Sequence, residues 1–210
     1  MLFNPGNTLK TVNEQTNVLS KCTINETLPQ EFAIYDLNKF LGVLSLFSDP
    51  ELGFSDTSAT IKSSIDANNF TAGDQVAVYQ FANKSLFEDE EKILAKEIEL
   101  PSVEAEFHLE EKYLSQVMRA AAIMSLPEIA VEATEGNKIT LKAVDAKQSI
   151  DSFSIDVGSN SNTNFRMIFK IENLKLTRGS YDVRISNAGL GHFSHSTKEL
   201  EYWIATETTS

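Results

Sequence analysis

The sequence predicts an α+β protein made of two similar domains, each with antiparallel strands and few helices. Three observations support this: apolar residues recur mostly at every second position, only two segments show helical spacing, and one short phrase occurs twice. The phrase, Phe-x-Ile-x-[Asp/Asn]-Leu, occupies Phe32–Leu37 and Phe169–Leu174, and one lysine follows each copy, Lys39 or Lys175. Such a repeat is what two copies of one domain would contain.

Five segments alternate apolar and polar residues with the period of a half-buried strand. In chain order they are Asn17–Ile24, Lys138–Val144, Phe165–Ile171, Tyr181–Ile185 and Leu200–Ala205. Turn-forming glycines separate the last of them, as at Gly189–Gly191. Strands joined by short turns favour antiparallel sheets.

The longest helix is predicted over residues 108–125. Apolar residues with helical spacing form its buried stripe, which comprises Leu114, Val117, Met118, Ala121 and Met124. The opposite face is expected to expose Lys112, Gln116, Arg119 and Ala122.

A shorter helix is predicted where the first copy of the phrase ends. Asp36 is a suitable N-cap because its carboxylate can accept a hydrogen bond from the first helical turn. The residues expected to be buried are Leu37, Phe40, Leu41 and Leu44, and those expected to face outward are Asn38, Lys39 and Gly42. In the second copy, Asn173 takes the capping position, Leu174 the first buried position and Lys175 the outward one.

A charged segment separates the two parts of the chain. It contains the acidic run Glu88–Glu91 and ends near Pro101, which indicates a connector more than a core strand. The predicted organisation is a first domain over residues 1–85, an acidic connector over 86–102 and a second domain over 103–210.

The net charge of −12 and the single cysteine limit the functions that are compatible with the chain. An acidic chain is not expected to be a simple nucleic-acid binder, but a few cations on one concave face could still attract DNA, because the local field decides binding. Cys22 alone excludes an internal disulfide and favours a reducing, cytosolic compartment. We expect no signal peptide and no membrane span, because the chain has no sufficiently long apolar run.

The sequence contains no recognised catalytic or cofactor motif. It has neither GxxxxGK[ST] nor GxGxxG, and neither a serine nor Cys22 lies in a nucleophile elbow. His192 and His195 have a spacing found in metal sites, but residues i and i+3 of a strand point to opposite faces, so we expect ordinary surface histidines. We therefore predict no enzyme activity, no catalytic residue, no metal and no cofactor.

The segment FAIYDLNKFLGVLSLFSD, Phe32–Asp49, resembles the DNA polymerase sliding clamps of T-even-type bacteriophages, which are processivity factors of the PCNA-like class. The resemblance continues through Leu114–Ala133, Asn164–Ile185 and Glu199–Glu207. It implies the DNA clamp fold, in which each domain has an outer antiparallel sheet and hole-lining helices. In the family, a strand and a helix precede the segment that matches the start of this chain. Domain one would lack both, so either the natural start lies upstream of Met1 or something else covers the sheet; of the two, we expect the upstream start.

The resemblance also assigns roles to three sets of residues. The DNA-facing cations would be Lys39, Lys112, Arg119 and Lys175, although each could be an ordinary solvated charge. The pocket for partner peptides would be bounded by Val12, Leu19, Trp203 and Ala205, although each could be a core residue. Subunits would join by strand addition between two sheet edges, one with Val76, Val78 and Phe81 and the other with Ile150, Phe153 and Ile155.

The implied function is that of a homotrimeric ring that encircles double-stranded DNA without sequence specificity and tethers the replicative DNA polymerase. Further implied partners are a clamp-loader ATPase and, as an optional class, late transcription factors, in the cytoplasm of an infected bacterial host. The main alternative is a β-rich structural or adhesion module of a phage virion. A carbohydrate-processing enzyme would need paired carboxylates that the sequence does not identify. A virion module has no reason to repeat a lysine-bearing helix, so the sequence favours the clamp.

Overall fold

Antiparallel strands and a few short helices form two structural units. The structure is a computed structural model and describes residues 1–63, 75–133, 138–148, 151–159 and 164–207. The first unit comprises Met1–Thr11 with Thr23–Lys96, and the second comprises Val12–Cys22 with Glu97–Ser210. The predicted α+β class is confirmed.

The described residues of the first unit form short sheets and two α-helices. Its strands are β1 (Leu2–Phe3), β2 (Gly6–Val12), β3 (Val18–Leu28), β4 (Phe32–Ala33), β5 (Pro50–Phe54), β6 (Ser58–Ser63) and β7 (Val76–Gln80). Its helices are α1 (Leu37–Leu44) and α2 (Glu88–Leu94). Strand β1 pairs with β4, β2 lies beside β3, and β5, β6 and β7 form a three-stranded sheet in that order. Val12 of β2 and Val18–Cys22 of β3 belong to the second unit.

Stacked aromatic rings fill the core of the first unit. The ring centroid of Phe32 lies 4.8 Å from that of Phe3 and 5.0 Å from that of Phe81. Helix α1 contributes Phe40, whose ring meets the edge of Tyr79 at 5.0 Å. Burial of large aromatic side chains is the main stabilising contribution in a unit this small.

Helix α1 agrees with the prediction at its N-cap and differs at one buried position. The Asp36 carboxylate accepts a hydrogen bond from the Lys39 N–H at 2.9 Å, as expected for an N-cap. Phe40 is buried, and it packs into the core with Leu37, Val43 and Leu44. Leu41 was expected in this stripe, but it is 51% exposed. A helix of two turns buries only a narrow stripe of its surface, and this stripe includes Val43, three residues after Phe40, instead of Leu41.

The acidic segment predicted as a connector contains α2. Its first turn is Glu88–Glu91, and carboxylates there interact favourably with the positive end of the helix dipole. Leu94 is buried, and the Lys10 ammonium donates to the Leu94 carbonyl at 3.2 Å, which attaches α2 to β2. The chain passes from the first unit to the second between Lys96 and Glu97.

In its described ranges, the second unit has two sheets and one α-helix, α3 (Glu111–Met124). Its strands are β8 (Ala105–Leu109), β9 (Glu128–Ala133), β10 (Lys138–Val144), β11 (Phe153–Ser159), β12 (Phe165–Lys170), β13 (Tyr181–Ser186), β14 (Leu190–His195) and β15 (Leu200–Ala205). One sheet has the order β11-β10-β9-β12. In the other, residues Val18–Cys22 of β3 pair with β15, which is followed by β14, β13 and β8. All five strands predicted from alternation are present.

The α3 stripe is confirmed, but the helix starts later than predicted. Val117 and Ala121 are completely buried, and Leu114, Met118 and Met124 pack partly against the same core. His108, expected in the helix, instead belongs to β8 and pairs with Asp182 of β13. Pairing of β8 with β13 decides where the strand ends and α3 begins, and a sequence pattern contains no information about that pairing.

The second copy of the repeated phrase does not lead into an α-helix, contrary to the prediction. After β12 the chain makes a single 3-10 turn at Ile171–Leu174, and β13 already begins at Tyr181. Asn173 does not act as an N-cap, because it lies within this turn, and Lys170 is the residue that precedes the turn. Asn173 is buried, and its amide nitrogen has no hydrogen-bond partner among the described residues. Too few residues separate this turn from β13 for a helix to form, and Lys175 lies in the exposed connection.

Candidate DNA-facing and partner-binding surfaces

Helix α3 presents two cations on its solvent side. Lys112 and Arg119 are two helical turns apart and both exposed, opposite the stripe that packs into the core. The Lys112 ammonium lies 2.7 Å from the Glu110 carboxylate and 4.6 Å from the centre of the Tyr113 ring. The hydrogen bond that Lys112 donates to Glu110 raises the pKa of its ammonium group. Arg119 makes no ion pair within the part of the chain that the structure describes.

Helix α1 exposes Lys39 with its neighbours Asn38 and Gly42, as the sequence predicted. Lys175 is also exposed, but it follows the 3-10 turn and is not on a helix. Three of the four predicted DNA-facing cations therefore lie on the outward side of an α-helix, and the fourth lies in a loop.

The four residues predicted for the partner pocket lie on one sheet face of the second unit. Leu19 of β3 stands beside Trp203 of β15 in the antiparallel register. The Asn13 N–H bonds the Val18 carbonyl, so Val12 lies across the β2–β3 hairpin from Leu19. Ala205 is two residues beyond Trp203 and shares its face. Leu19 is buried, and the other three residues are partly exposed.

His192 belongs to the same face and was not predicted there. It is the register partner of Trp203 on β14 and is only 5% exposed, so the expectation of a surface histidine is wrong. The imidazole and indole rings stack with centroids 4.8 Å apart and planes inclined by 27°. Alternation along β14 tells which face of the sheet His192 lies on. Only the register between strands places it beside Trp203.

His195 is also buried rather than exposed. It lies on the core face of β14 beside Tyr181, with ring centroids 5.1 Å apart, and its Nε2 donates to the Arg178 carbonyl at 3.1 Å. His192 and His195 therefore point to opposite faces, as strand geometry requires. The described residues contain no group of three or more His, Cys, Asp and Glu side chains placed to hold a metal ion.

The two segments predicted as subunit edges both lie at the margins of sheets, in the orders described above. Strand β7 ends the three-stranded sheet, and β11 ends the four-stranded one. Val76 and Val78 are more than half exposed, whereas Phe81 stacks in the core of the first unit. Phe153 and Ile155 pack against the core of the second unit, and Ile150 lies outside the described residues. The β11 edge would thus offer mainly backbone groups to a neighbour, and the β7 edge would also offer the side chains of Val76 and Val78.

None of the helices in the described ranges is both long and apolar enough to cross a membrane.

Comparison with known proteins decides the family. The chain is 31% identical over 210 residues to the sliding clamp of Vibrio phage KVP40, and the alignment spans 99% of this chain and 90% of that relative. The chain belongs to the phage sliding-clamp family. The family described as gp45 sliding clamp, C terminal, matches residues 106–208 of this clamp. Sliding clamps are non-enzymatic processivity factors.

Solved structures confirm the clamp fold. The H. pylori beta clamp in complex with 5-chloroisatin is similar with a TM-score of 0.69 at 16% identity, over 100% of this clamp and 58% of that chain. The A. fulgidus PCNA bound to the C-terminal region of FEN-1 is similar with a TM-score of 0.66 at 15% identity, over 100% of this clamp and 89% of that chain. The resemblance seen in the sequence and the predicted function of a DNA sliding clamp are confirmed, and the virion-module alternative is set aside.

Proposed function

We propose that three copies of this clamp close into a ring around double-stranded DNA and hold the replicative DNA polymerase on its template. The observation that carries the proposal is the solvent face of α3, where Lys112 and Arg119 lie opposite the stripe that packs into the core. Lys39 on α1 and Lys175 complete the set of DNA-facing cations. The proposed domains are residues 1–85 and 103–210, with 86–102 as connector.

The charge distribution suits a sliding contact. The chain has 18 Lys and Arg residues and 30 Asp and Glu residues, so most of the surface repels DNA. A few cations that meet phosphates give an attraction that is independent of sequence and weakened by salt. Weak individual contacts allow the ring to move along the duplex, and closure of the ring, not affinity, retains it.

Strand addition is the proposed subunit contact. Strand β7 of one copy would pair with β11 of the next, because both are open edges whose N–H and C=O groups can pair with another strand. A repeated contact of this head-to-tail kind produces a closed ring when the rotation between copies matches.

The face formed by Val12, Leu19, Trp203 and Ala205 is the proposed docking site for short apolar peptides of partner proteins. Its apolar side chains and partial exposure support the proposal, as does the similar fold of a PCNA that holds the C-terminal region of FEN-1. The proposed users are the DNA polymerase, a clamp-loader ATPase and, as an optional class, late transcription factors. They would meet the clamp in the cytoplasm of the infected bacterial host. The clamp itself would perform no catalysis.

The decisive experiment compares circular and linear DNA. Clamp loaded by its cognate loader should stay on circular duplex through gel filtration, leave linear duplex over its ends, and be kept on linear duplex by bulky blocks at both ends. Equal retention on open linear and circular DNA would show binding by affinity and contradict the proposal. Light scattering on the same clamp preparation, before DNA and loader are added, should give the mass of a trimer.

A further inference from the structure

A row of side chains crosses the proposed peptide-docking face. In register across β3, β15, β14 and β13 stand Leu19, Trp203, His192 and Arg184. The indole of Trp203 is therefore flanked on one side by Leu19 and on the other by the stacked imidazole of His192. Trp203 is partly exposed, and its neighbours in this row set the position of the indole.

Hydrogen bonds define the protonation state and the tautomer of His192. Its Nδ1 lies 3.1 Å from an Arg184 guanidinium nitrogen, and its Nε2 lies 2.9 Å from the Glu201 carboxylate. A guanidinium can only donate and a carboxylate can only accept. Nδ1 must therefore accept from Arg184 while Nε2–H donates to Glu201, which describes a neutral imidazole in the Nε2–H tautomer.

We infer that neutral His192 is a positioning residue that holds Trp203 for peptide binding, and that protonation of His192 loosens the indole and weakens docking. The inference rests on the proposed peptide-docking function of this face. A proton on Nδ1 would point at the Arg184 guanidinium, leave it without its acceptor and place two like charges about 3 Å apart. The row could not keep its present arrangement.

The charged groups around His192 influence the pH at which it is protonated. Arg184 on β13 and Lys21 on β3 oppose a second positive charge, whereas Glu201 on β15 favours it. Burial has the largest effect and lowers the pKa of His192 below 6.5. The neutral state is therefore the one present at neutral pH.

Trp203 is the only tryptophan, so its fluorescence reports on this row. Loosening of the indole changes its contacts and its exposure to water, and tryptophan fluorescence responds to both. On titration of the intact clamp from about pH 8 to about pH 5, the wild type should show a fluorescence transition that His192→Gln lacks. His108→Gln, which changes an exposed histidine, is the matched control and should keep the transition. A transition that survives in His192→Gln, or is missing from the wild type, would overturn the inference.

Two further variants keep the imidazole and test the same point. Arg184→Gln should move the transition to higher pH because it removes a positive neighbour, and Glu201→Gln should move it to lower pH. Unchanged midpoints in both variants would contradict the proposed network even if His192→Gln folded poorly.

Binding is measured with a fluorescently labelled peptide of the C terminus of the phage's own DNA polymerase. His192→Gln should bind this peptide about tenfold more weakly at neutral pH and lose the weakening seen for the wild type in acid. Peptide binding that is unaffected by His192→Gln overturns this inference alone. A wild type that binds the peptide at no pH, with the fluorescence transition intact, instead refutes the proposed docking function and, with it, the role of His192 in docking.

Discussion

The Lys112 ammonium lies 2.7 Å from the Glu110 carboxylate, while Arg119, two turns along the same side of α3, makes no ion pair with any described residue. The two cations therefore differ before DNA is present. In the proposed contact with DNA, Lys112 would have to exchange Glu110 for a phosphate, whereas Arg119 would only have to exchange water.

Charge reversal on α3 should reveal this difference. Arg119→Glu should reduce loader-dependent processive synthesis more than Lys112→Glu does, and both should leave the trimer intact. A plot of the log of the binding constant against the log of the salt concentration has a negative slope. Removal of one cation that contacts a phosphate should make this slope about one unit less steep. The measurements are product length on primed circular DNA at several salt concentrations and light scattering.

Two variants serve as controls for α3. Lys198→Glu makes the same charge change at an exposed position before β15 and should leave product length unaltered. Glu110→Gln should slow sliding or strengthen DNA binding, because it frees Lys112. If Arg119→Glu behaves like Lys198→Glu, α3 does not face the DNA.

The open edge of β7 provides a test of assembly. The Phe81 N–H bonds the Thr57 carbonyl, so by alternation the Val78 N–H points away from β6 toward the open edge. Val78→Pro removes that donor without affecting β6, and edge strands tolerate proline when the N–H faces outward. We expect Val78→Pro to be a folded monomer by light scattering and circular dichroism.

Val78→Thr is the matched control for the edge, because it keeps the N–H and a β-branched side chain. It should remain a trimer at the same concentration. A trimeric Val78→Pro would exclude β7 from the subunit contact.

Alanine substitutions at two glycines should change the free energy of unfolding in opposite directions. Gly179 has φ +148°, and a Cβ there would overlap the His195 imidazole, so Gly179→Ala should lower the free energy of unfolding by more than about 1 kcal/mol. Gly42 lies within α1, with nothing within 4 Å of a Cβ, so Gly42→Ala should raise it by about 0.5–1 kcal/mol. Urea denaturation measures both, and a stabilised Gly179→Ala would contradict the contact with His195.

The state of His192 should make stability depend on pH. Burial holds the pKa of folded His192 below its usual 6.5, so the unfolded chain takes up a proton first as the pH falls. The contribution of His192 is complete above 6.5 and is lost as the pH falls through the folded pKa. Between about pH 7.5 and about pH 5.5, the wild type should therefore lose more unfolding free energy than His192→Gln. An equal loss in both proteins would show that His192 titrates as it does in the unfolded chain.

Local rules were sufficient for several elements. The α3 stripe was predictable because helical periodicity brings residues three and four apart onto one face. The N-cap at Asp36 was predictable because a short carboxylate can reach the N–H of the third following residue. Both depend on neighbours within one or two turns, and the sequence supplies those neighbours directly.

The two copies of the repeated phrase show where local reasoning ends. Asp36 and Asn173 occupy the same place in the pattern, but only Asp36 starts an α-helix. The distance to the next paired strand decides between them, and the phrase itself carries no information about that distance. Leu41 is a smaller case, because the neighbours of α1 determine how wide its buried stripe is.

The sequence by itself determined the α+β class, the period of most strands, the length of α3 within a few residues, and the resemblance to phage sliding clamps. Only the tertiary structure decided that His192 lies buried beside Trp203, between Arg184 and Glu201. The physical reason is register: alternation gives each strand its two faces, but a shift between strands changes every cross-strand neighbour without changing the pattern.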